Sequence, residues 1–135
     1  MRIALGTDER TDLTDHVARA LEERGHEVVK VADGRPWPEV GRGVGEIVAR
    51  GDAERGVLFC WTGTGASIAA NKVAGVRAAL CTDAETARGA RRWNDANVLV
   101  MSLRLASPTV ADEMLDAFLA TEPDPSEAGN IAAVE

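Results

Sequence analysis

The run Cys60-Trp61-Thr62-Gly63-Thr64-Gly65 holds the most chemistry in this 135-residue chain: a thiol followed at once by a glycine-rich turn. Glycines let backbone N–H groups face an anion, and a helix beginning behind them adds its dipole. Such surroundings also lower a thiol pKa, which makes Cys60 a candidate base or nucleophile. The competing reading is structural, because free cysteines pack as small hydrophobes and glycines make turns. Taken alone, these residues favour the structural reading. The turn lacks the G-x-x-x-x-G-K-[ST] spacing of a nucleotide-binding loop. Asp8, just past the first predicted strand, reads equally as a ligand for a substrate hydroxyl or as a helper in capping the next helix. Cys81 reads as core, and Asp83 as a helix cap. Arg88, Arg91 and Arg92 share one predicted helix and read as a solvated face or an interface. His16 and His26 read as surface residues. They form no ligand cluster with either cysteine, so no metal site is expected. Without a Cys-x-x-Cys pair, thiol redox chemistry is the weaker idea.

The elements that must position these groups alternate. Arg2 to Thr7 reads as a strand. Asp12 to Arg24 is a helix with Leu13, Val17, Ala20 and Leu21 on one face, capped by Thr11 or Asp12 and stopped by Gly25. His26 to Val31 is a second strand. A Gly- and Pro-punctuated loop, 33–38, leads to a helix from about Pro38 to Arg50, which Gly41, Gly43 and Gly45 weaken by about 1 kcal/mol each. Gly56 to Cys60 is an apolar run, as in a strand buried on both faces. After the turn, a short helix is predicted from about Ser67 to Lys72. A strand over Val76 to Cys81, a helix from Asp83 to Arg92 or Trp93, a strand over Val98 to Met101 and a helix from Pro108 to about Ala120 follow. This order predicts a three-layer αβα sandwich around a five-stranded parallel, Rossmann-like sheet. Ligands bind such sheets at the carboxyl ends of strands. That selects Gly6-Thr7-Asp8 and the Cys60–Ser67 segment. Trp93-Asn94-Asp95 is weaker by this rule, because it precedes its strand.

Length and composition fit one domain over 1–135, with an extended tail from about 121 where Glu122-Pro123-Asp124-Pro125-Ser126 breaks structure. The chain is 45% hydrophobic and has three Trp, two Phe and no Tyr, so its core must be largely Ala, Val, Leu and Ile. A net charge of −7 disfavours nucleic acid and anionic lipid as partners. No apolar stretch approaches the ~20 residues of a membrane helix. The amino terminus is too short to be a signal peptide's apolar region, so free thiols and a cytoplasmic location are expected.

The run from Cys60 to Lys72, C-W-T-G-T-G-A-S-I-A-A-N-K, resembles the ribose-5-phosphate isomerase B family, which includes the galactose-6-phosphate isomerase subunits. Gly75 to Cys81, Asn94-Asp95-Ala96-Asn97-Val98-Leu99 and the Gly6-x-Asp8 start extend the likeness over residues 1 to about 120. The resemblance implies a homodimer, in some members paired into a tetramer, with active sites at the dimer interface. It implies aldose–ketose isomerisation through an enediolate, with neither metal nor cofactor. Cys60 would be the base, beside Thr62. Backbone N–H groups around Gly63, Thr64, Gly65 and Ala66 would form the anion hole. Asp8, Ser67 and Asn94 would contact the sugar, and Arg104 matches an arginine that reaches phosphate.

Four departures bear on the substrate. Trp93 stands where the family has its ring-opening His, and an indole cannot shuttle protons. Asp8-Glu9-Arg10-Thr11 lacks a second His and brings a new cation, Arg10, near the site. Trp61 replaces a Gly. The segment Glu127–Val134 holds none of the cations that clamp phosphate. The expected activity is therefore isomerisation of a sugar or sugar phosphate other than ribose 5-phosphate. An open-chain tetrose phosphate or an unphosphorylated sugar fits. The alternative is a non-catalytic sugar-binding or structural relative.

Overall fold

The computed structural model describes residues 1–31 and 33–135. Five strands form one parallel sheet: β1 (Arg2–Thr7), β2 (Glu27–Lys30), β3 (Arg55–Cys60), β4 (Ala78–Leu80) and β5 (Val98–Ser102), in the order β2-β1-β3-β5-β4. The helices are α1 (Asp12–Glu23), α2 (Trp37–Ala49), α3 (Thr64–Asn71), α4 (Ala84–Asn94), α5 (Pro108–Ala120) and α6 (Ala128–Val134). Strand alternation splits the core in two. Ile3, Leu5, Val57, Phe59, Leu99 and Met101 pack against α1, α4 and α5. Ala4, Leu58, Cys60, Val98 and Val100 pack against α2 and α3. The expected αβα sandwich is thus the observed one.

Local chemistry sets the helix ends. The Thr11 side chain accepts from the Thr14 N–H, and the Thr14 hydroxyl accepts from the Thr11 N–H, which satisfies two donors at the start of α1. Asp83 accepts from the Thr86 N–H at 2.7 Å, and this bond holds its carboxyl below the ordinary range. Ser107 caps α5 with Pro108 behind it.

The glycines of α2 do the opposite of what propensity suggests. A Cβ on Gly41 would stand 2.8 Å from the Ala66 carbonyl oxygen and 2.8 Å from Cβ of Ala69. One on Gly45 would stand 3.1 Å from Val73 and 3.2 Å from the Ala70 carbonyl. These residues let α2 lie against the backbone of α3, so burial and close packing offset the propensity loss. Gly6 plays the same part in β1, where a Cβ would meet Val44 at 2.7 Å and Val40 at 2.8 Å.

Three expectations need correction. α3 begins at Thr64, three residues before Ser67, because Gly63 adopts a left-handed backbone (φ 84°) and turns the chain straight into the helix. The tail is extended only over 121–124; a 3-10 turn (Pro125–Glu127) and α6 follow. There the Asp124 side chain accepts from the Ser126 N–H, so the Asp-Pro pair starts a turn. Arg91 is neither solvated nor at a free face. It is 1% exposed, donates to Asp95, Ala96 and Thr121, and lies 5.7 Å above the Phe118 ring. Burial is tolerable because its donors are so well met.

Gly41→Ala is expected to cost about 1–3 kcal/mol by forcing the two helices apart. Gly129→Ala, with open space around its Cβ, should be neutral or stabilise by up to about 1 kcal/mol. Urea unfolding of the two variants checks the contrast.

Candidate active site

The sheet order reverses between β1 and β3, and the two strands end side by side there. Thr7 pairs with Phe59, so the next residues, Asp8 just past β1 and Cys60 at the end of β3, are neighbours. Cys60 pairs with Ser102 on the other side. The carboxyl ends of three central strands thus bring together Asp8, the thiol and the loop after β5.

The main chain beyond Cys60 is tied down. The Trp61 carbonyl accepts from the Arg104 N–H at 2.9 Å and from the Ser102 hydroxyl at 2.9 Å. The Leu103 N–H donates to the Cys60 carbonyl at 3.0 Å. Gly63 then reverses direction. A Cβ on Gly63 would fall 2.5 Å from Leu80, so the position excludes side chains on both conformational and steric grounds. The hydroxyls of Thr62 and Thr64 share a 2.8 Å hydrogen bond over the turn. The Ser67 N–H is the first in the helix ladder, donating to the Gly63 carbonyl at 3.1 Å. Those of Gly65 and Ala66 precede it and have no intrahelical acceptor, as the geometry of a helix start requires. They are preorganised donors at the positive end of α3. The Ser67 hydroxyl makes no hydrogen bond among the described residues.

Cys60 is 4% exposed and packs with Ala66 and Ala70 of α3. Asp8 is half-buried, and its Oδ1 is a buried atom with no hydrogen-bond partner. Desolvation is the main reason its carboxyl titrates above the ordinary aspartate range; the Glu9 carboxylate adds to this, and the nearby main chain of Asp8 and Glu9 opposes it. An unsatisfied acceptor at a strand end beside a thiol suits a substrate hydroxyl. The other thiol, Cys81, is buried and pushed up to about 11, chiefly by burial, which makes it inert. Both cysteines are free.

The structure does not gather every expected residue at this point. Arg10 turns toward α1, its Nε 2.8 Å from Asp15, where it lines a small cleft with Lys30 and Asp33. Arg104 follows β5 at the site's rim; its side chain is exposed and has no ion-pair partner among the described residues. Trp93 and Asn94 end α4 and so lie toward the amino end of β5, away from Cys60 of the same chain. The Trp93 ring folds back on its own helix, where a Cβ on Gly89 would meet it at 2.8 Å. It lines a groove of about 440 Å³ with Leu80, Cys81 and Asn94.

The Asn94-Asp95-Ala96-Asn97 turn divides its labour. Asp95, at φ 46°, receives Arg91 on one carboxylate oxygen at 2.8 Å and Arg77 on the other at 3.3 Å. Asn97 accepts from the Arg77 N–H at 2.7 Å and donates to the Gly75 carbonyl at 2.9 Å. Both therefore hold the backbone. The exposed Asn94 side chain makes no hydrogen bond among the described residues, which leaves it available to a ligand. Asn71 is also structural: its amide pairs with both the N–H and the carbonyl of Ala78 and closes the sheet edge.

One residue near the site escaped the sequence reading. Trp37, placed in a loop there, is the first residue of α2, and its indole lies on Gly65. Its place between Pro36 and Pro38 was the available sign, since two prolines hold a side chain's backbone still. Among the described residues, no group of His, Cys, Asp and Glu could hold a metal ion, and no helix is long and apolar enough to cross a membrane.

Comparison with known proteins agrees with the geometry. A family model described as Ribose/Galactose Isomerase matches residues 3–133. Ribose-5-phosphate isomerase B of Escherichia coli is 36% identical over 126 residues, covering 90% of this chain and 85% of that one. A D-erythrulose-4-phosphate isomerase of Pectobacterium atrosepticum is 34% identical over 128 residues, covering 90% and 84%. The solved structure of Clostridium thermocellum ribose-5-phosphate isomerase B superposes with a TM-score of 0.94 at 35% identity, over 99% of this chain and 95% of that one. A thiol beside a helix amino terminus at the sheet's switch point, on a chain matched end to end by one family, makes this protein a member of the ribose/galactose isomerase family.

Proposed function

We propose that the protein interconverts the aldose and ketose forms of a short open-chain sugar phosphate, with Cys60 as the base. The observation that carries this reading is the pairing of Cys60 with the unoccupied N–H groups of Gly65 and Ala66 at the start of α3. The Cys60 thiolate takes a proton from the carbon beside the carbonyl. The electron pair moves into the C–C bond, and the carbonyl oxygen becomes the enediolate oxygen. That oxygen gains charge only along the reaction, so fixed N–H donors stabilise the transition state more than the substrate. The thiol returns the proton to the neighbouring carbon, and a proton passes between the two oxygens. Asp8 accepts a hydrogen bond from a sugar hydroxyl and fixes its orientation.

Two features narrow the substrate. Trp93 can donate a hydrogen bond but cannot shuttle a proton to a ring oxygen, which favours a sugar that cannot close a furanose ring. A four-carbon sugar 4-phosphate meets that condition, and a relative matched over 90% of the chain is named for such a substrate. Arg104, exposed and without an ion-pair partner, is the cation placed to receive the phosphate. Arg10 is a weaker choice, because Asp15 already engages it. An unphosphorylated sugar remains the second reading, favoured by the tail Glu127–Val134, which carries no cation.

The separation of Asn94 from Cys60 within one chain supports a homodimer in which Trp93 and Asn94 of one copy complete the Cys60 site of the other. In a two-fold dimer, each copy would give and receive the same residues. The test uses two inactive variants, Cys60→Ala and Asn94→Ala, assayed on D-erythrulose 4-phosphate. After unfolding and refolding together, the mixture should regain roughly a quarter of wild-type activity, because half the dimers then carry one intact site. Mixing without recovery contradicts the shared site. A wild-type protein inactive on this substrate, but active on unphosphorylated tetrose, moves the function to the second reading.

Asp8→Asn separates function from stability. The folded state holds this carboxyl above its ordinary range, so between the unfolded and folded values the native protein binds more protons. Stability then falls as pH rises through that window and stays lower above it. The variant lacks this penalty. Its urea midpoint should match or exceed wild type at neutral pH, with the difference growing as pH rises through the window, while turnover drops about tenfold or more. A midpoint clearly below wild type would mean that Asp8 serves the fold.

A further inference from the structure

Trp37, Gly41 and Gly45 recur every four residues along α2 and form one stripe that faces α3 turn by turn. Gly45 meets Ala70 and Val73, Gly41 meets Ala66 and Ala69, and Trp37 meets Gly65. The first two contacts bring the α2 backbone onto the Ala66 and Ala70 carbonyls and the Ala69 and Val73 side chains, and they set the distance between the helices. The third ends the stripe at the opening turn of α3. A Cβ on Gly65 would stand 2.9 Å from Cδ2 and Cε3 of the indole and 3.1 Å from Cζ3. The six-membered ring therefore sits directly on the Gly65 α-carbon. Pro36, extended at φ −54° and ψ 142°, and Pro38 in the first turn of α2 bracket the tryptophan. Trp37 is 44% exposed, and its Nε1 makes no hydrogen bond among the described residues.

We infer that Trp37 is a positioning residue that clamps the Gly63–Ala66 turn from above, and that Gly65 is glycine to receive the ring. The N–H groups of Gly65 and Ala66 point out of a turn with few internal restraints: Gly63 and Gly65 are both glycine, and the threonine hydroxyls bond mainly to each other. Small misplacements of such donors are costly in rate, because charge stabilisation depends on their fixed aim. A rigid ring pressed on the α-carbon between these donors restrains the turn without using any donor. It also shields one side from water, which strengthens the hydrogen bonds the turn gives to a ligand. The mechanical part of this inference stands without the isomerase reading; only its effect on turnover rests on it.

The test compares Trp37→Ala, Trp37→Phe, Gly65→Ala and the double variant Trp37→Ala/Gly65→Ala, each as the full chain. Thermal midpoints should show strong coupling. Gly65→Ala destabilises when the indole is present and much less when it is gone. If Gly65→Ala does not fold, a folded double variant shows the same coupling. Amide hydrogen exchange of Ser67, whose N–H closes the turn onto Gly63, should be about tenfold faster in Trp37→Ala and near wild type in Trp37→Phe. On D-erythrulose 4-phosphate, Trp37→Ala should lower kcat about tenfold with a smaller change in KM, and Trp37→Phe should restore most of it. Additive midpoints together with unchanged Ser67 exchange overturn the clamp. Coupled midpoints and faster exchange in a protein that turns over no sugar keep the clamp and discard the isomerase reading. A KM effect alone, with exchange unchanged, makes Trp37 a plain substrate contact and overturns positioning.

Discussion

How closely α2 can lie on α3 decides where every other part of the site falls. The amino terminus of α3 must stand beside the end of β3 for its free N–H groups to serve the proposed reaction at Cys60. Two helices usually pack 8–10 Å apart, at a distance set by their side chains. Here Gly41 and Gly45 remove those side chains, and the backbone of α3 becomes the packing surface. Gly6 lets β1 rise against Val40 and Val44 of the same helix. α2 is thus seated on both β1 and α3, the two elements whose ends carry Asp8 and the N–H donors. It contributes few polar groups to the site, yet it fixes the relative height of its two halves.

The second constraint is the reversal at Gly63. A strand that ends in a buried thiol must turn into a helix within three residues, with Leu80 and the Met101 backbone pressing from outside. Left-handed geometry achieves this, and for a residue with a Cβ it costs about 1–2 kcal/mol before any clash is counted. The hydrogen bonds that hold the Trp61 carbonyl from β5 anchor the near side of the turn. The site is therefore held by neighbours on each side while its own donors stay free.

Much of this architecture could be read from residue order. Alternating strands and helices gave the layers, and strand-end logic pointed to Asp8 and Cys60. Propensity misled where packing overrode it. The glycines of α2 looked like weak points because a single sequence does not show what they face. Gly63 and Gly65 looked like an open loop because the left-handed turn that starts the helix needs tertiary neighbours to favour it. Arg91 read as solvated because its partners, Asp95, Ala96 and the Thr121 carbonyl, are assembled only by the fold. Within the Asn94–Asn97 turn, spacing alone could not separate the exposed, unbonded Asn94 side chain from the structural Asp95 and Asn97. Trp37 went unread because the contact that gives it meaning spans 28 residues, from α2 to α3.

The measurement that bears most directly on Cys60 as base is proton NMR in D₂O, with the wild-type protein and Cys60→Ala each incubated with D-erythrulose 4-phosphate. Deuterium should enter the carbon beside the carbonyl with wild type, and the variant should slow that exchange by about 10²–10⁴-fold while keeping its fold. Exchange at the wild-type rate in Cys60→Ala would contradict the assignment of the base.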